Sequence, residues 1–392
     1  SGLTGHYYNG PVPQGEPVQV RTDRTVNFNW IFALPHPALD ANCFSVVWTG
    51  SVVMPRTMDG CIGLSTQDSM RLYVDDKLLI DGWGKDKSAD QALDFHFEAG
   101  RTYKIRIEFV NDRRGARVIF GYSAGWENFP AAVEAARKAD VAILCMGDNE
   151  ETSGENFDRT DLNLPGRQLE LVQAVYATGT PVVLVLQSGR PVTANWENDH
   201  LPAILEAWFP GEQGGTAIAK TLFGDAAPGG RLPITFPRSV GQIPCHYSRR
   251  PGGGKRYVEM DWLPLYPFGY GLTYTTFAYR DMALSRSVID PQDTVTVSVT
   301  VTNTGKYTGD AVPQLYVRDM FSSVVKPERQ LAAFRRLTLA PGESRRVELT
   351  VGPKQLRTLG PDYVWRVEPG KFELQLGDNA ENILLRADLT VE

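Results

Sequence analysis

The sequence lacks long hydrophobic runs and an excess of basic residues. None of its apolar stretches approaches the roughly 18 consecutive residues that a membrane-spanning helix needs. Lys and Arg total 40 against 46 Asp and Glu, so the formal net charge is −6, whereas nucleic-acid-binding proteins are typically basic. We therefore expect neither a membrane nor a nucleic acid as a partner.

Cysteine and histidine are scarce, with four and five copies among 392 residues. Cys43, Cys61, Cys145 and Cys245 form no CxxC pair, which argues against a structural zinc site. The histidines are scattered, so a His-based catalytic triad has no support, and we expect no metal and no cofactor. Cys145 lies in the apolar run VAILCMG, which predicts a small buried side chain.

The residues that are abundant are typical of a globular protein with much β-structure. Hydrophobic residues make up 42% and charged residues 22% of the chain, whose length suits two to four domains of roughly 100–200 residues each. The 37 glycines and 26 prolines indicate many short strands and turns. The chain begins at Ser1 with neither a methionine nor a signal-type segment, which indicates a cut end.

Residues 1–123 alternate between short apolar runs and turn residues, a pattern that predicts an antiparallel β-sandwich. Residues 104–109 alternate strictly between polar and apolar side chains, as half-buried strands do. Asp75 and Asp76 separate two strand-like halves and predict a hairpin turn. Together with Asp81 they also permit a calcium site, but the hairpin explains the pair without a metal.

Residues 124–244 alternate between helices and buried strands. The predicted helices are PAAVEAARKA, GRQLELVQAVYAT and GGTAIAKTLFG, and the predicted strands are DVAILCMG, PVVLVLQSG and HLPAILEAWFPG. Continuous apolar strands of this kind occur in parallel sheets that are covered on both faces, so this region is predicted to be α/β. Ligands of such sheets bind at the carboxyl ends of the strands, here residues 147–159, 187–190 and 206–212.

Residues 245–272 are rich in Pro, Gly and Arg and are predicted to be a linker. Residues 273–392 are predicted to form a second β-sandwich, because VTVSVTVTNTG, AVPQLYVRD, RRVELTVG and KFELQLGD alternate between apolar and polar residues. The predicted fold class is therefore a multidomain α/β plus all-β protein.

The loop after the first α/β strand, residues 147–159, is the strongest candidate for chemistry. It is too polar for a core and carries several carboxylates with one arginine. A carboxylic acid that is partly desolvated, or that lies near other acids, can have a raised pKa and act as a general acid. Asp158 and Arg159 are then a charge pair or a clamp for hydroxyl groups. The alternative is a solvated acidic loop without a catalytic role.

Several long strings follow one another in the second and third regions: SGENFDRTDLNLPGRQ, PVVLVLQSGRPV, ILEAWFPGEQGGTAIAKTLFGDAAPGGRLPITFP, LPLYPFGYGLTYTTFAY and QLYVRDMFSSVVKPERQLAAFRRLTLAPGES. In this order they resemble the acid/base loop, the α/β-sandwich domain and the fibronectin type III-like domain of glycoside hydrolase family 3, the β-glucosidases and β-xylosidases. The first region resembles the PA-14-type sandwich that some members insert into the α/β domain. The resemblance covers essentially the whole chain.

The resemblance implies roles for individual residues. Aligned on Asp158 and Arg159, the general acid/base is Glu155, with Glu151 as the second candidate because neighbouring positions depart from the family pattern. Asp158 and Arg159 would shape the loop or bind substrate. In members with the inserted sandwich, its loops reach over the active site, so Trp83 is a candidate for stacking on a sugar. The alternative is that Trp83 covers its own sandwich.

The mechanism implied for the family is retaining, with one carboxylate as nucleophile and a second as acid and then base. The nucleophile is an Asp on an N-terminal (β/α)8 barrel, which needs about 250 residues and has no place among the three regions. Asp261, in Met-Asp-Trp, imitates the nucleophile motif but follows no barrel strand, so no role is expected for it.

We therefore expect the C-terminal portion of a β-glucosidase, a subunit or fragment that supplies the general acid/base. It would need a second polypeptide carrying the barrel and the nucleophile, and its substrate would be a β-glucoside or an oligosaccharide. A β-xylosidase of the same family is one alternative. A non-catalytic carbohydrate-binding accessory chain is the other.

Overall fold

The computed structural model describes residues 2–30, 34–66, 68–84, 89–111, 116–124, 129–150, 152–252 and 257–392. The chain divides into two compact units, Ser1–Asn128 and Phe129–Glu392. Within the described residues, no helix is both long enough and apolar enough to cross a bilayer.

The first unit consists of two antiparallel sheets. Their strands are β1 (Leu3–Asn9), β2 (Gln19–Asp23), β3 (Asn27–Asn29), β4 (Phe44–Val53), β5 (Met58–Thr66), β6 (Ser69–Val74), β7 (Lys77–Asp81), β8 (Ala89–Phe97), β9 (Thr102–Asn111) and β10 (Arg117–Ala124). One sheet has the order β2-β1-β4-β9-β6-β7 and the other β3-β10-β5-β8. The hairpin between β6 and β7 is confirmed, because Asp75 and Asp76 have φ angles of 50° and 64°, as a tight two-residue turn requires.

The core of this unit is aromatic, and the carboxylate of Asp23 is buried against it. Tyr7 and Trp48 are fully buried, and both donate hydrogen bonds to Asp23 Oδ2, at 2.6 and 2.7 Å. Arg21 Nε bonds the other carboxylate oxygen at 2.7 Å. The Tyr7 hydroxyl and the Trp48 indole N–H therefore both have a partner in the core, which avoids the free-energy cost of an unpaired buried donor.

The second unit begins with an α/β region. Its elements are α1 (Pro130–Arg137), β11 (Ala142–Gly147), α2 (Gln168–Tyr176), β12 (Val182–Gln187), α3 (Asn195–His200), β13 (Ala203–Glu206) and α4 (Gly214–Leu222). The three strands are parallel in the order β11-β12-β13, which confirms the predicted α/β arrangement. Pro130 is at the start of α1, a position where its missing N–H has no intrahelical partner to lose. The short helix α3 was not predicted.

The prediction that Cys145 is buried is wrong, since its side chain is exposed, and Ile143 on the same face of β11 is 44% exposed. The opposite face of the strand packs into the core through Ala142, Leu144 and Met146. The physical reason is the position of β11 at an edge of the sheet, where β12 is its neighbour. Only one face of β11 is covered among the described residues, so Cys145 on the other face is exposed. The central strand β12 behaves as predicted, with Val185 fully buried.

The remainder of the second unit is a β-sandwich. Its elements are β14 (Phe277–Leu284), β15 (Val288–Ile289), β16 (Val295–Asn303), β17 (Gly309–Ala311), β18 (Gln314–Asp319), β19 (Gln330–Phe334), β20 (Leu337–Leu339), β21 (Ser344–Val351), α5 (Pro353–Leu356), β22 (Thr358–Leu359), β23 (Trp365–Arg366), β24 (Gly370–Gly377) and β25 (Ile383–Val391). The two larger sheets have the orders β14-β16-β21 and β15-β25-β24-β18-β19. Alternate valines of β16 are fully buried between them.

The segment predicted as a linker makes specific contacts with this sandwich. Within the segment, Tyr247 stacks on Phe268 with ring centroids 4.3 Å apart, and the Tyr247 hydroxyl accepts a hydrogen bond from the Leu331 N–H of β19 at 3.1 Å. Arg249 forms ion pairs with Glu328 and Glu381 at 3.2 and 2.8 Å. These contacts fix the segment on the sandwich, and both belong to the compact unit Phe129–Glu392. The predicted domain boundaries inside this unit stay predictions.

Candidate functional site

The carboxyl ends of β11, β12 and β13 meet at one edge of the parallel sheet. Gly147 lies opposite Gln187 in the register of the first pair, and Leu186 lies opposite Glu206 in the second. The Asp148 N–H donates to the Gln187 carbonyl at 2.9 Å, which carries the pairing one residue beyond the strand. The three segments that the sequence singled out for ligand binding are therefore adjacent, as parallel pairing requires.

The loop that leaves β11, residues 147–159, begins at a position where only glycine fits. Gly147 has a φ of 141°, and a Cβ there would lie 2.0 Å from the Gln187 carbonyl oxygen. The Gln168 side chain, at the start of α2, accepts from the Gly147 N–H at 2.7 Å and donates to its carbonyl at 2.8 Å. These contacts set the direction in which the loop leaves the sheet. We call residues 147–159 the acid/base loop, after the role that the family resemblance implies for it.

The next residue, Asp148, is a buried carboxylate with two cationic partners. Its side chain is 2% exposed, and it lies 3.2 Å from Arg159 Nη1 and 3.9 Å from Arg190 Nε. Thr152 Oγ1 donates to it at 3.0 Å, and the Gly189 N–H at 3.4 Å. Both ends of the acid/base loop and the turn after β12 therefore converge on one carboxylate.

Glu155 lies at the exposed tip of the acid/base loop. The Phe157 N–H donates to the Gly154 carbonyl at 3.2 Å and closes a turn around it, in which Asn156 has a φ of 65°. Arg190 Nη2 donates to Ser153 Oγ at 3.4 Å and its Nη1 to the Phe157 carbonyl at 3.2 Å. The predicted acid is thus presented to solvent by a turn that is held on both sides. Glu151, the second candidate, lies outside the described residues.

Asp158 and Arg159 have different surroundings. Arg159 donates to Asp148 and, through Nη2, to the Asn163 carbonyl at 2.9 Å. Asp158 is exposed. The arginine therefore pairs with Asp148 rather than with its neighbour in sequence, which corrects the interpretation of Asp158 and Arg159 as a charge pair. The sequence singled out neither Asp148 nor Arg190, although both lie in the strand-end segments that it marked.

Glu206, at the end of β13, is a second acid at this edge. Burial, with a smaller contribution from the Asp148 charge, raises the pKa of Glu206 to about 7, although hydrogen bonds favour its ionised form. Its Oε1 accepts from the Trp208 N–H at 2.9 Å and from Ser188 Oγ at 3.4 Å. Its Oε2 is buried with no hydrogen-bond partner among the described residues. The sequence marked Glu206 only as the first residue of the strand-end segment 206–212 and gave it no role.

Trp83 lies in the first unit and packs on its own sandwich. The Arg71 guanidinium lies 4.8 Å from the centre of its ring, and the Trp83 N–H donates to Asp81 Oδ1 at 3.2 Å.

The aspartates near this loop that permitted a calcium site make contacts within the protein. Asp75 accepts hydrogen bonds from the Lys104 N–H and from Arg101, at 2.9 and 3.0 Å, and these bonds lower its pKa. These aspartates therefore already have partners. Among the described residues, no three His, Cys, Asp or Glu side chains are grouped so that they could hold a metal.

Asp261 serves a local role. Its Oδ1 accepts a hydrogen bond from the Leu263 N–H at 3.0 Å, and its carbonyl lies 3.4 Å from Gln242 Nε2. An aspartate that bonds the N–H two residues ahead stabilises a turn.

The chain, including this edge of the sheet, matches known protein families. Residues 33–274, more than half of the chain, match the glycosyl hydrolase family 3 C-terminal domain, and residues 311–380 match a fibronectin type III-like domain. A β-xylosidase of Formosa agariphila is 45% identical over 74% of this chain and 42% of its own length. A β-glucosidase of Rhizobium radiobacter is 34% identical over 99% of this chain and 51% of its own length.

The structural comparison agrees. A crystal structure of a β-glucosidase from Kluyveromyces marxianus superposes with a TM-score of 0.75 and 28% identity, over 100% of this chain and 50% of that one. The chain thus spans about half the length of these relatives. From the family match, the relatives and the shared fold, we conclude that this chain belongs to glycosyl hydrolase family 3.

Proposed function

We propose that this chain supplies the general acid/base, Glu155, of a retaining β-glucosidase that acts on the ends of β-glucosides and short oligosaccharides. The observation that carries the proposal is the position of Glu155, at an exposed tip held at the carboxyl edge of the sheet. Relatives that are named β-glucosidases cover nearly the whole chain and support it.

In the first step of this reaction an aspartate attacks the anomeric carbon, while the Glu155 carboxylic acid gives its proton to the leaving oxygen. A glucosyl–enzyme ester and a free alcohol result. In the second step the Glu155 carboxylate takes a proton from water, whose oxygen attacks the same carbon and releases the aspartate. Glu155 is then protonated again, so the cycle is balanced.

The attacking aspartate belongs, in this proposal, to a (β/α)8 barrel on a second polypeptide. The exposed apolar face of β11 supports an additional contact, because Val141 and Ile143 are 49% and 44% exposed at an edge of the sheet. Uncovered apolar surface and open strand edges are typical of sites where further chain packs. The relatives are single chains about twice as long as this one, which supports the packing of further polypeptide at this face.

We also propose that the first unit is the PA-14-type sandwich inserted into the family's α/β domain. Its two antiparallel sheets, and a family match that runs from residue 33 through both regions to residue 274, support this assignment.

β-Xylosidase is the second candidate activity. It is favoured by the 45% identity to a protein of that name, over residues that include most of this chain. Turnover of 4-nitrophenyl β-D-glucoside and β-D-xyloside by the assembled enzyme separates the two, and the sugar with the higher kcat/KM identifies the activity.

The replacement Glu155→Gln tests the proposed role. In the chain assembled with the barrel-bearing polypeptide, we expect kcat/KM for an alkyl β-glucoside to fall about 10²–10⁴-fold, the contribution of general acid catalysis. Azide should restore part of the turnover of 2,4-dinitrophenyl β-glucoside, because it attacks the glucosyl–enzyme without a general base. The control is Glu134→Gln, which removes an exposed carboxylate paired with Lys138 on α1.

Two results would contradict the proposal. Unchanged turnover by the Glu155→Gln variant would favour a carbohydrate-binding accessory chain. Full turnover by this chain alone, with no second polypeptide in the intact mass spectrum, would remove the need for a partner.

A further inference from the structure

Arg190, in the turn after β12, contacts the acid/base loop on both sides of Glu155. Its Nη2 lies 3.4 Å from Ser153 Oγ, two residues before Glu155, and its Nη1 lies 3.2 Å from the Phe157 carbonyl, two residues after it. The guanidinium fork is planar and rigid, so two bonds from one fork fix the separation of the groups that it binds. The turn 153–157 is therefore held at both of its ends by one side chain.

Asp148 orients this guanidinium. Its buried carboxylate lies 3.9 Å from Arg190 Nε and 3.2 Å from Arg159 Nη1. All three nitrogens of Arg190 thus face an oxygen of the acid/base loop, including Asp148 at its start. Arg190 is 23% exposed at its side chain, so most of its surface is covered by protein.

Close packing supports the same contact. A Cβ on Gly189 would lie 2.8 Å from Ser153 Oγ and 2.7 Å from the Phe209 ring, so the turn after β12 touches the acid/base loop directly. A small displacement of a catalytic group lowers the rate steeply, about 10²-fold for 1 Å.

We propose that Arg190, oriented by Asp148, is a positioning residue that holds Glu155 at the place where it delivers its proton. This inference rests on the proposed function of Glu155. Arg190 does not contact the reacting atoms in this account. It acts through Ser153 and Phe157.

The test compares Arg190→Met, Arg190→Lys and Glu155→Gln in the assembled enzyme, with alkyl and 2,4-dinitrophenyl β-glucosides. An alcohol leaves only with a proton, whereas dinitrophenolate leaves without one. For Arg190→Met we expect kcat/KM to fall about 10–100-fold for the alkyl glucoside, less than the roughly 10²–10⁴-fold that general acid catalysis contributes, because the acid is displaced rather than removed. For the dinitrophenyl glucoside we expect a fall of less than about 3-fold. Arg190→Lys, which keeps the charge but not the fork, should lie between wild type and Arg190→Met.

Hydrogen exchange supplies a readout that does not depend on activity. The Phe157 N–H, which bonds the Gly154 carbonyl, should exchange faster in Arg190→Met. The matched control is Arg286→Met, which removes an exposed arginine that pairs with Asp293 at 2.8 Å in the terminal sandwich. We expect it to change neither the exchange of this loop nor the dependence on the leaving group.

The possible outcomes separate the two hypotheses. If Glu155→Gln discriminates between the leaving groups and Arg190→Met does not, the positioning role is wrong and the function of Glu155 stands. An equal loss for both substrates with a raised KM would show that Arg190 binds sugar, and it would overturn the proposal. Unchanged exchange at Phe157 would do the same. If Glu155→Gln itself does not discriminate, the proposed function is wrong and Arg190 has no acid to position.

Discussion

The ends of β11 and β13 each place one acid at the same edge of the sheet, but they surround it differently. Asp148 follows β11 with two guanidinium groups within 4 Å, a threonine hydroxyl and a backbone N–H. Glu206 ends β13 with one backbone N–H and one serine hydroxyl, and its second oxygen is buried without a partner among the described residues.

This difference shows how the surroundings assign different tasks to similar side chains. A buried carboxylate with guanidinium partners is a structural anchor, because removing it leaves its cations without a counter-charge. A buried carboxyl without a cation takes up a proton more readily, which is why the pKa of Glu206 is raised to about 7. Replacements of Asp148 and Glu206 test whether the hydrogen-bond and ion-pair partners of each acid, rather than its position in the sheet, account for their different surroundings and roles.

We expect the largest effect from Asp148→Asn. Its side chain is 2% exposed and its partners Arg159 and Arg190 are 18% and 23% exposed, so the replacement should lower the free energy of unfolding by about 3 kcal/mol, as for other broken buried ion pairs. Urea unfolding monitored by hydrogen exchange in β11 and β12 measures this loss. Asp293→Asn, which breaks an exposed pair with Arg286, should cost less than about 1 kcal/mol. Equal losses would remove the distinction.

Glu206→Gln should have an effect that depends on pH. The folded state raises the pKa of Glu206 from 4.5 to about 7. The contribution of this carboxyl to the free energy of unfolding is therefore fully present below about pH 4.5 and is lost as the pH rises through 7. Glutamine does not ionise. Relative to wild type, the variant should therefore gain up to about 3 kcal/mol between pH 5 and pH 8, from 1.36 kcal/mol per pKa unit.

The measurement is urea unfolding of both proteins at several pH values. Parallel stability curves for wild type and Glu206→Gln would show that this carboxyl does not titrate as described. Glu170→Gln is a suitable control, because Glu170 is exposed beside Arg167, and its pKa is lowered by the hydrogen bond from that arginine.

The smallest change is expected from Ser188→Ala. The serine hydroxyl lies 3.4 Å from Glu206 Oε1 and donates to the Arg190 carbonyl at 2.9 Å, so the replacement should cost about 1 kcal/mol. Because the hydroxyl favours the ionised form of Glu206, the pH at which stability declines should also move upward. A shift to lower pH would contradict this account of the Glu206 environment.

Local sequence patterns predicted much of the fold. The alternation in residues 104–109 gave the strand β9, and the Asp75-Asp76 turn gave the hairpin β6–β7. The apolar runs of residues 142–147, 182–187 and 203–206 became three parallel strands in chain order. These features depend on neighbours within a few residues, so periodicity and turn chemistry carry the information.

Other features could not be predicted because they depend on groups distant in sequence. Cys145 has the same kind of apolar surroundings in sequence as Val185, but one is exposed at the sheet edge and the other is fully buried in the central strand. Arg159 follows Asp158, yet it bonds Asp148, eleven residues earlier. The long strings that resemble the family directed attention to Glu155, whereas nothing near Arg190 in the sequence indicated its contacts.

The sequence by itself therefore determined the strands, the turns, the family and the loop on which an acid is placed. Those properties follow from short-range patterns and from strings of residues that remain together in the chain. Only the tertiary structure decided which charges meet, because parallel pairing brings residues 148, 190 and 206 to one edge although more than fifty positions separate the first from the last. Burial at that edge excludes water, and the distances between charges then set which side chain anchors the loop and which one has a raised pKa.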